Sequence, residues 1–240
     1  AASQRRTAAS LPRPSPKAPM TVLVVGSTGN IGGAIVKQLR EHEGVTVVEA
    51  SRAGGGVKLD IGSVDSVKAL DAALPGGVDH VVVCCGASTF GPLASFDEGK
   101  WEANVSGKLL GVSRLVVMLA NGKDVKCLRD GGSITVTTGQ SAKTVNRAWP
   151  GLAANNAGLE AFVRCAGVEA PRGVRLNAVS PALVRETALK AGLPLEGTVP
   201  ADEVAEKYLS LIFGEAVGEV VEAGSQAVFV KSHQTDAKGR

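Results

Sequence analysis

An apolar run, Thr21-Val22-Leu23-Val24-Val25, is broken by Gly26-Ser27-Thr28-Gly29-Asn30-Ile31-Gly32, and apolar positions then recur at 31, 35, 36 and 39. The first spacing suits a strand and the second a helix, so the glycines occupy the turn between them. Glycine is needed where a Cβ would forbid a positive φ or block the approach of another group to the backbone. A strand that enters a helix through such a turn presents free amide N–H groups at the positive end of the helix, which suits a pyrophosphate. A second β-branched run, 45–48, follows where the next strand of a βαβ unit is due. The competing reading is of glycines that serve the turn alone.

Strand and helix signals keep alternating along the chain. Residues 57–60 follow Gly54-Gly55-Gly56, which cannot sustain a helix, so the second and third strands are joined by a short loop. A helix over about 63–74 and a strand over 78–85, apolar on both faces apart from Asp79 and His80, come next. Residues 96–121 carry helical periodicity through Trp101, Val105, Leu109, Val112 and Val116. A strand at 133–138, a helix over about 151–169, a strand at 174–180, a helix over about 201–213 and short β-rich pieces at 219–221 and 227–230 complete the order. This rhythm predicts an α/β fold: a single doubly wound Rossmann-type domain over residues 20–230, with a mainly parallel sheet and helices on both faces. Residues 231–240 form a polar tail. The longest apolar runs have strand length, short of the roughly 20 residues that span a membrane.

Of 26 Lys and Arg, four (Arg5, Arg6, Arg13 and Lys17) lie in the first 20 residues, where none of the 23 Asp and Glu occurs. The basic character therefore belongs to the tail, and the body calls for no nucleic acid. Residues 1–19, rich in Ala and Ser with prolines at 12, 14, 16 and 19, read as the remnant of a plastid or mitochondrial import signal or as a basic linker on a cytoplasmic protein. Cys84, Cys85, Cys127 and Cys165 lack C-x-x-C spacing, which points to a reducing compartment. Cys84 and Cys85 suit either a thiol-redox role or simple apolar packing. His42, His80 and His233 are scattered and suggest no metal site.

Dinucleotide selectivity is read at the end of the second strand, where a cation attracts a 2′-phosphate and an acid binds a 2′-hydroxyl. Ser51-Arg52 there points to NADP(H); Glu49, on the same strand face as Ser51, keeps NAD(H) as the alternative.

Beyond these residues the chain resembles the short-chain dehydrogenase/reductase family over most of 21–224. The likeness rests on Leu59-Asp60, on Cys84-Cys85-Gly86 in place of the usual Asn-Asn-Ala-Gly, on Asn104-Val105, and above all on Arg175-Leu176-Asn177-Ala178-Val179-Ser180-Pro181. It implies that Asp60 contacts the adenine, that Gly86 passes the ribose, and that Pro181, Val184 and Thr187 lie by the nicotinamide carboxamide. It further implies pairing into a homodimer or homotetramer through the helices near 96–121 and 151–169; the alternative is that the chain is a subunit of a larger assembly.

The family's acid/base apparatus of Ser, Tyr and Lys is missing. Alignment puts Gly139, Leu152 and Asn156 at those positions, and the only tyrosine, Tyr208, lies far downstream. Asn156, beside Asn155, is left to hold a ribose in place of the Lys. Candidate substitutes are Thr138, Asn104 and Lys108, with Ser141, Lys143 and Arg147 behind them; Asn104 and Lys108, four apart, share a helix face. Trp101 is expected to pack, and Trp149 either to pack or to wall a substrate pocket. Two functions follow: an oxidoreductase on a small carbonyl or alcohol with atypical acid/base groups, or a catalytically silent NADP(H)-binding sensor or structural subunit.

Overall fold

Val22, Leu23, Val24 and Val25 are all buried, Leu23 and Val25 in one apolar layer and Val22 and Val24 in the other. Alternate side chains of one strand thus supply two cores, which is possible only for a strand covered on both faces. That strand is β1 (Met20–Val25) of a computed structural model that describes residues 19–86, 88, 90–144 and 149–224. It sits within a seven-stranded sheet of order β3-β2-β1-β4-β5-β6-β7. The other strands are β2 (Val45–Ser51), β3 (Val57–Lys58), β4 (Val78–Val83), β5 (Leu128–Thr137), β6 (Arg175–Pro181) and β7 (Val220–Ala223), and all pairings are parallel.

On one face, α5 (Gly111–Asn121) contributes Val112, Leu115 and Leu119, and α6 (Pro150–Glu169) contributes Leu159 and Val163. On the other, α1 (Asn30–Leu39) brings Ile35 and Leu39, and α8 (Ala201–Phe213) brings Val204, Tyr208 and Ile212. The polar residues of β4 are accommodated locally. Asp79 accepts from the Thr21 amide at 2.7 Å and from Arg129 at 2.6 Å, and the His80 Nδ1 lies 2.8 Å from the Ser133 hydroxyl.

Several expectations change. The helix expected over 63–74 is two short pieces, α2 (Val64–Lys68) and α3 (Leu70–Ala73), the first capped by the Ser63 side chain on the Ser66 amide. The rod expected from 96 starts with Asp97 capping α4 (Glu98–Asn104), then passes through a π-helical turn, Val105–Leu110, into α5. Trp101 on this rod is 43% exposed and packs edge-on against Phe96 at 6.1 Å. By length and composition Glu98–Asn121 could cross a membrane, against the reading from apolar runs alone, but its apolar stripe is spent on the sheet. Strand β5 begins at Leu128, five residues early, through a register shift beside Val78 and His80. Strand β4 stops at Val83, leaving Cys84 and Cys85 beyond its end. A helix the sequence pattern did not suggest, α7 (Arg185–Ala191), follows β6. The tails 1–18 and 231–240, the β-rich piece 227–230 and Arg147 lie outside the described residues.

Candidate functional site

Strand order reverses between β1 and β4, the place where open parallel sheets leave a crevice beyond their C-terminal ends. The glycine turn lies at that point. Gly26 has φ +87° and its missing Cβ would stand 2.9 Å from the Cys84 carbonyl; a Cβ on Gly32 would drive into the Gly26 carbonyl oxygen. Both positions therefore need glycine, one for its backbone angle and one for packing the turn against its own helix. The helix that follows has Gly29 as its N-cap, with no capping side chain and no acid in its first turn. Its first N–H groups are thus left for an anion.

Two cavities flank this turn. One, of about 430 Å³, is lined by Gly26, Thr28, Gly29, Ser51, Arg52, Asp60 and Gly86, together with Cys84, Cys85 and Gly107. Ser51 donates to the Gly54 carbonyl at 2.7 Å, which holds the glycine loop beside Arg52. Asp60 accepts from the Gly62 amide at 2.9 Å. Glu49 is not among the lining residues and is bonded to Arg40 at 2.6 Å. The absent Cβ of Gly86, φ +132°, makes room for Lys108, whose Cγ would lie 2.8 Å from it.

Lys108 is 7% exposed, although an ammonium favours water. Burial pulls its ammonium down to about 8, partly opposed by the Cys85 thiol. Burial pushes Cys84 up to about 12 and Cys85 up to about 11, so both are protonated at neutral pH, which argues for packing rather than thiol redox chemistry.

The second cavity, about 500 Å³, lies between Ile31, Trp149, Leu152, Pro181, Leu183, Val184, Thr187 and Leu193, with Thr138, Gly139, Gln140, Ser141 and Asn156 at its polar side. Trp149 meets Phe90 edge-on at 6.2 Å, so the tryptophan walls the pocket. None of the described lining residues ionises at neutral pH. Asn156 Nδ2 donates to the Ser141 hydroxyl at 2.8 Å. Leu152, at the position of the family tyrosine, offers only carbon. Tyr208 is wholly buried, its hydroxyl 2.5 Å from Thr137.

The candidate residues are distributed over both cavities. Gly26, Thr28, Gly29, Ser51, Arg52, Asp60 and Gly86 share the first; Ile31, Asn156, Pro181, Val184 and Thr187 share the second. Ser27 and Gly32 lie beneath the turn. Asn30 bridges to α7, donating to Thr187 at 3.0 Å and accepting from Lys190 at 2.6 Å.

The three proposed acid/base residues each have partners of their own. Thr138 lines the second cavity, but its hydroxyl is shared between Glu160 Oε1 at 3.4 Å and the Val179 carbonyl at 3.3 Å. Asn104 donates to the Gly151 carbonyl at 3.1 Å and accepts from Asn155 at 3.2 Å. Lys108 lies against Gly86, and the π-helical turn between it and Asn104 removes the simple one-turn spacing. Lys143 pairs with Glu222 at 2.7 Å at the surface.

Sequence reasoning missed Gln140 and Glu160. Glu160 is 2% exposed and accepts from Ser180 at 2.8 Å as well as from Arg164 at 3.0 Å. Its signal was spacing: it falls four residues after Asn156 and three before Val163, on the buried stripe of α6.

A family model described as enoyl-(acyl carrier protein) reductase matches residues 29–237. Among solved structures, the protein lin1944 from Listeria innocua is 34% identical with a TM-score of 0.77, the match covering 85% of this chain and 98% of that one. A small-chain dehydrogenase in complex with NADPH is 28% identical, TM-score 0.73, over 88% and 99% of the two chains. A short chain dehydrogenase/reductase family protein is 28% identical, TM-score 0.72, over 86% and 96%. No curated protein matches the sequence.

Proposed function

Because the chain belongs to the short-chain dehydrogenase/reductase family, we propose that it is an NADP(H)-dependent oxidoreductase acting on a small carbonyl or alcohol through hydroxyl groups rather than a tyrosine. The observation that carries the reading is the uncapped N-terminus of α1 behind Gly26, opening on a cleft that also holds Arg52 and adjoining an apolar pocket. A cradle that added Cβ atoms would fill, with a cation at its far end, fits a phosphorylated dinucleotide.

In this reading the turn amides between Gly26 and Gly32 hold the pyrophosphate, with Ser27, Thr28, Asn30 and Ile31 shaping the turn. Ser51 and Arg52 hold the 2′-phosphate, Asp60 the adenine, Gly86 and Asn156 the riboses, and Pro181, Val184 and Thr187 the carboxamide end. The nicotinamide, when bound, supplies or accepts a hydride. Ser141 then binds the substrate oxygen: its hydroxyl accepts from Asn156, which leaves its own hydrogen for a ligand. Leu152 and Trp149 exclude water from that oxygen. Absence of a positioned acid costs about 10²–10⁴ in rate, so turnover is expected to be slow.

A second reading, a silent NADP(H)-binding protein, draws support from the lack of any ionisable side chain among the described residues of the apolar pocket. One set of measurements separates the two. Titration with NADPH and NADH is expected to favour NADPH, and Arg52→Ala to weaken NADPH by about 10–100-fold, the range of a charge-assisted hydrogen bond, with NADH little changed. Equal NADPH binding by the variant ends the cofactor assignment. Slow single-turnover oxidation of bound NADPH by carbonyl compounds, lost in Ser141→Ala, supports the enzyme; tight binding without oxidation supports the silent reading.

A further inference from the structure

The junction between the two cavities is crossed by a cation. Gly29 lines the first cavity and Ile31 the second, so Asn30, at the start of α1, stands between them. Its side-chain amide ties α7 across the site, with Oδ1 accepting from Lys190 at 2.6 Å and Nδ2 donating to Thr187 at 3.0 Å. The Lys190 ammonium is thereby held at the N-terminal turn of α1, the positive end of a helix that has no acid in its first turn. A cation there is opposed by the helix, where an anion would be favoured. A lysine in the last turn of α7 suits that helix's own C-terminus, but the carbonyls of Ala188 and Leu189 already accept from the Leu193 and Gly192 amides. Glu186, one turn earlier on α7, is bonded to the Ala201 amide at 3.0 Å. Among the described residues the acceptor of the ammonium is therefore a neutral amide oxygen, and two of its three N–H groups are unspent.

We propose that Lys190 binds the pyrophosphate of the dinucleotide, so that α7 straps the ligand where it passes from one cavity to the other. An anion there is shared between the turn amides and the ammonium, and two positive groups that oppose each other in its absence both gain from it. Asn30 keeps the lysine at the junction until the anion arrives. The assignment rests on the proposed reading of the first cavity as a dinucleotide site, and adds to it a residue 160 positions from the glycine turn's own Asn30.

Calorimetric titration of the full chain with NADPH and with adenosine 2′-monophosphate tests it, because the second ligand keeps the adenosine end and lacks the pyrophosphate. Lys190→Met is expected to weaken NADPH by about tenfold or more, the range of one charge-assisted hydrogen bond, and to leave adenosine 2′-monophosphate unchanged. Lys190→Gln keeps a donor for the Asn30 amide but no charge, and is expected to lose nearly as much. Lys190→Arg is expected to stay within about threefold of wild type, its charge kept and its shape changed. Were the lysine only a fastening for α7, the Gln variant would bind NADPH like wild type; that result overturns the proposal, as does an equal loss for both ligands. Lys37→Met, at the far end of α1, controls for the loss of an exposed charge. It is expected to have no effect, and a loss equal to that of Lys190→Met would also overturn the assignment. Wild-type protein that fails to bind NADPH refutes the dinucleotide reading and this assignment with it, whereas equal binding by wild type and Lys190→Met refutes the assignment alone.

Discussion

Lys108 shows how a residue's type misleads when its neighbour decides its fate. An ammonium on a helix normally reaches water along its apolar stem, and nothing in the pattern around Lys108 says otherwise. It is buried because Gly86 has no side chain to fill the space over it, a pairing across 22 positions that periodicity cannot reveal. The opposite holds for Gly26 and Gly32, whose backbone angle and close contacts admit only glycine and so appear in the sequence directly. His80 lies between these cases: its place in a strand was legible, its burial and the consequence of it were not. Burial first, and Arg175 second, hold its imidazole down to about 4, against 6.5 in an unfolded chain, with Asp79 partly opposing. Below 6.5 the unfolded chain takes up a proton that the folded one refuses. Stability is therefore expected to fall as pH drops from 6.5 toward 4, by at most about 1.4 kcal/mol per pH unit from this group. Urea midpoints across that range should show the slope, and His80→Gln should flatten it; an unchanged slope in the variant would place the proton uptake elsewhere.

Among the elements, α6 does the most to connect fold and site. Its buried stripe is mixed, with Asn155 and Asn156 near the pocket, Glu160 behind it and Leu159 and Val163 in the core. Glu160 accepts from Thr138, just past β5, and from Ser180 on β6, and so ties the helix to two strand ends that wall the cavity. Glu160→Ala leaves the buried Ser180 hydroxyl without its acceptor, and Thr138 with the Val179 carbonyl alone, and is expected to destabilise the protein by about 2–4 kcal/mol, read from chemical denaturation. Glu160→Gln, which can still accept, is expected to recover part of the loss. The position and length of α6 were legible in the sequence; its buried carboxylate was not, because the hydroxyls it accepts from, Thr138 and Ser180, lie 22 and 20 residues away. The π-helical turn and α7 were illegible for a similar reason. The first carries Lys108 against Gly86, and the second is held by Asn30 across the site, contacts that are absent from local propensity.

For the molecule as a whole, alternation of buried runs and amphipathic segments was enough to give a parallel sheet with helices on both faces, since burial on both sides of a strand leaves no other cover. What the pattern leaves open is the outer surface. Ala154, Ala157, Ala161, Cys165 and Val168 are exposed along one face of α6, and Leu110 and Val117 are exposed on the neighbouring rod. Small residues in such a row allow close helix approach, and we propose self-association through this face. Light scattering at micromolar concentration is expected to give a dimer or tetramer, and Ala157→Arg to shift it toward monomer; a monomeric wild-type protein would refute the association.

The placing of β1 beside β4 has a further consequence in time. Among the described strands all pairings are parallel, so none is a hairpin, and apart from the short loop between β2 and β3 each pairing must close a long connection first. β1 is made before the other described strands and ends near the middle, and one of its edges stays bare until Val78–Val83 has followed it out. A nascent chain therefore carries this apolar strand edge exposed from the synthesis of β1 to that of β4, and the speed at which β4 arrives bears on the competition between folding and aggregation.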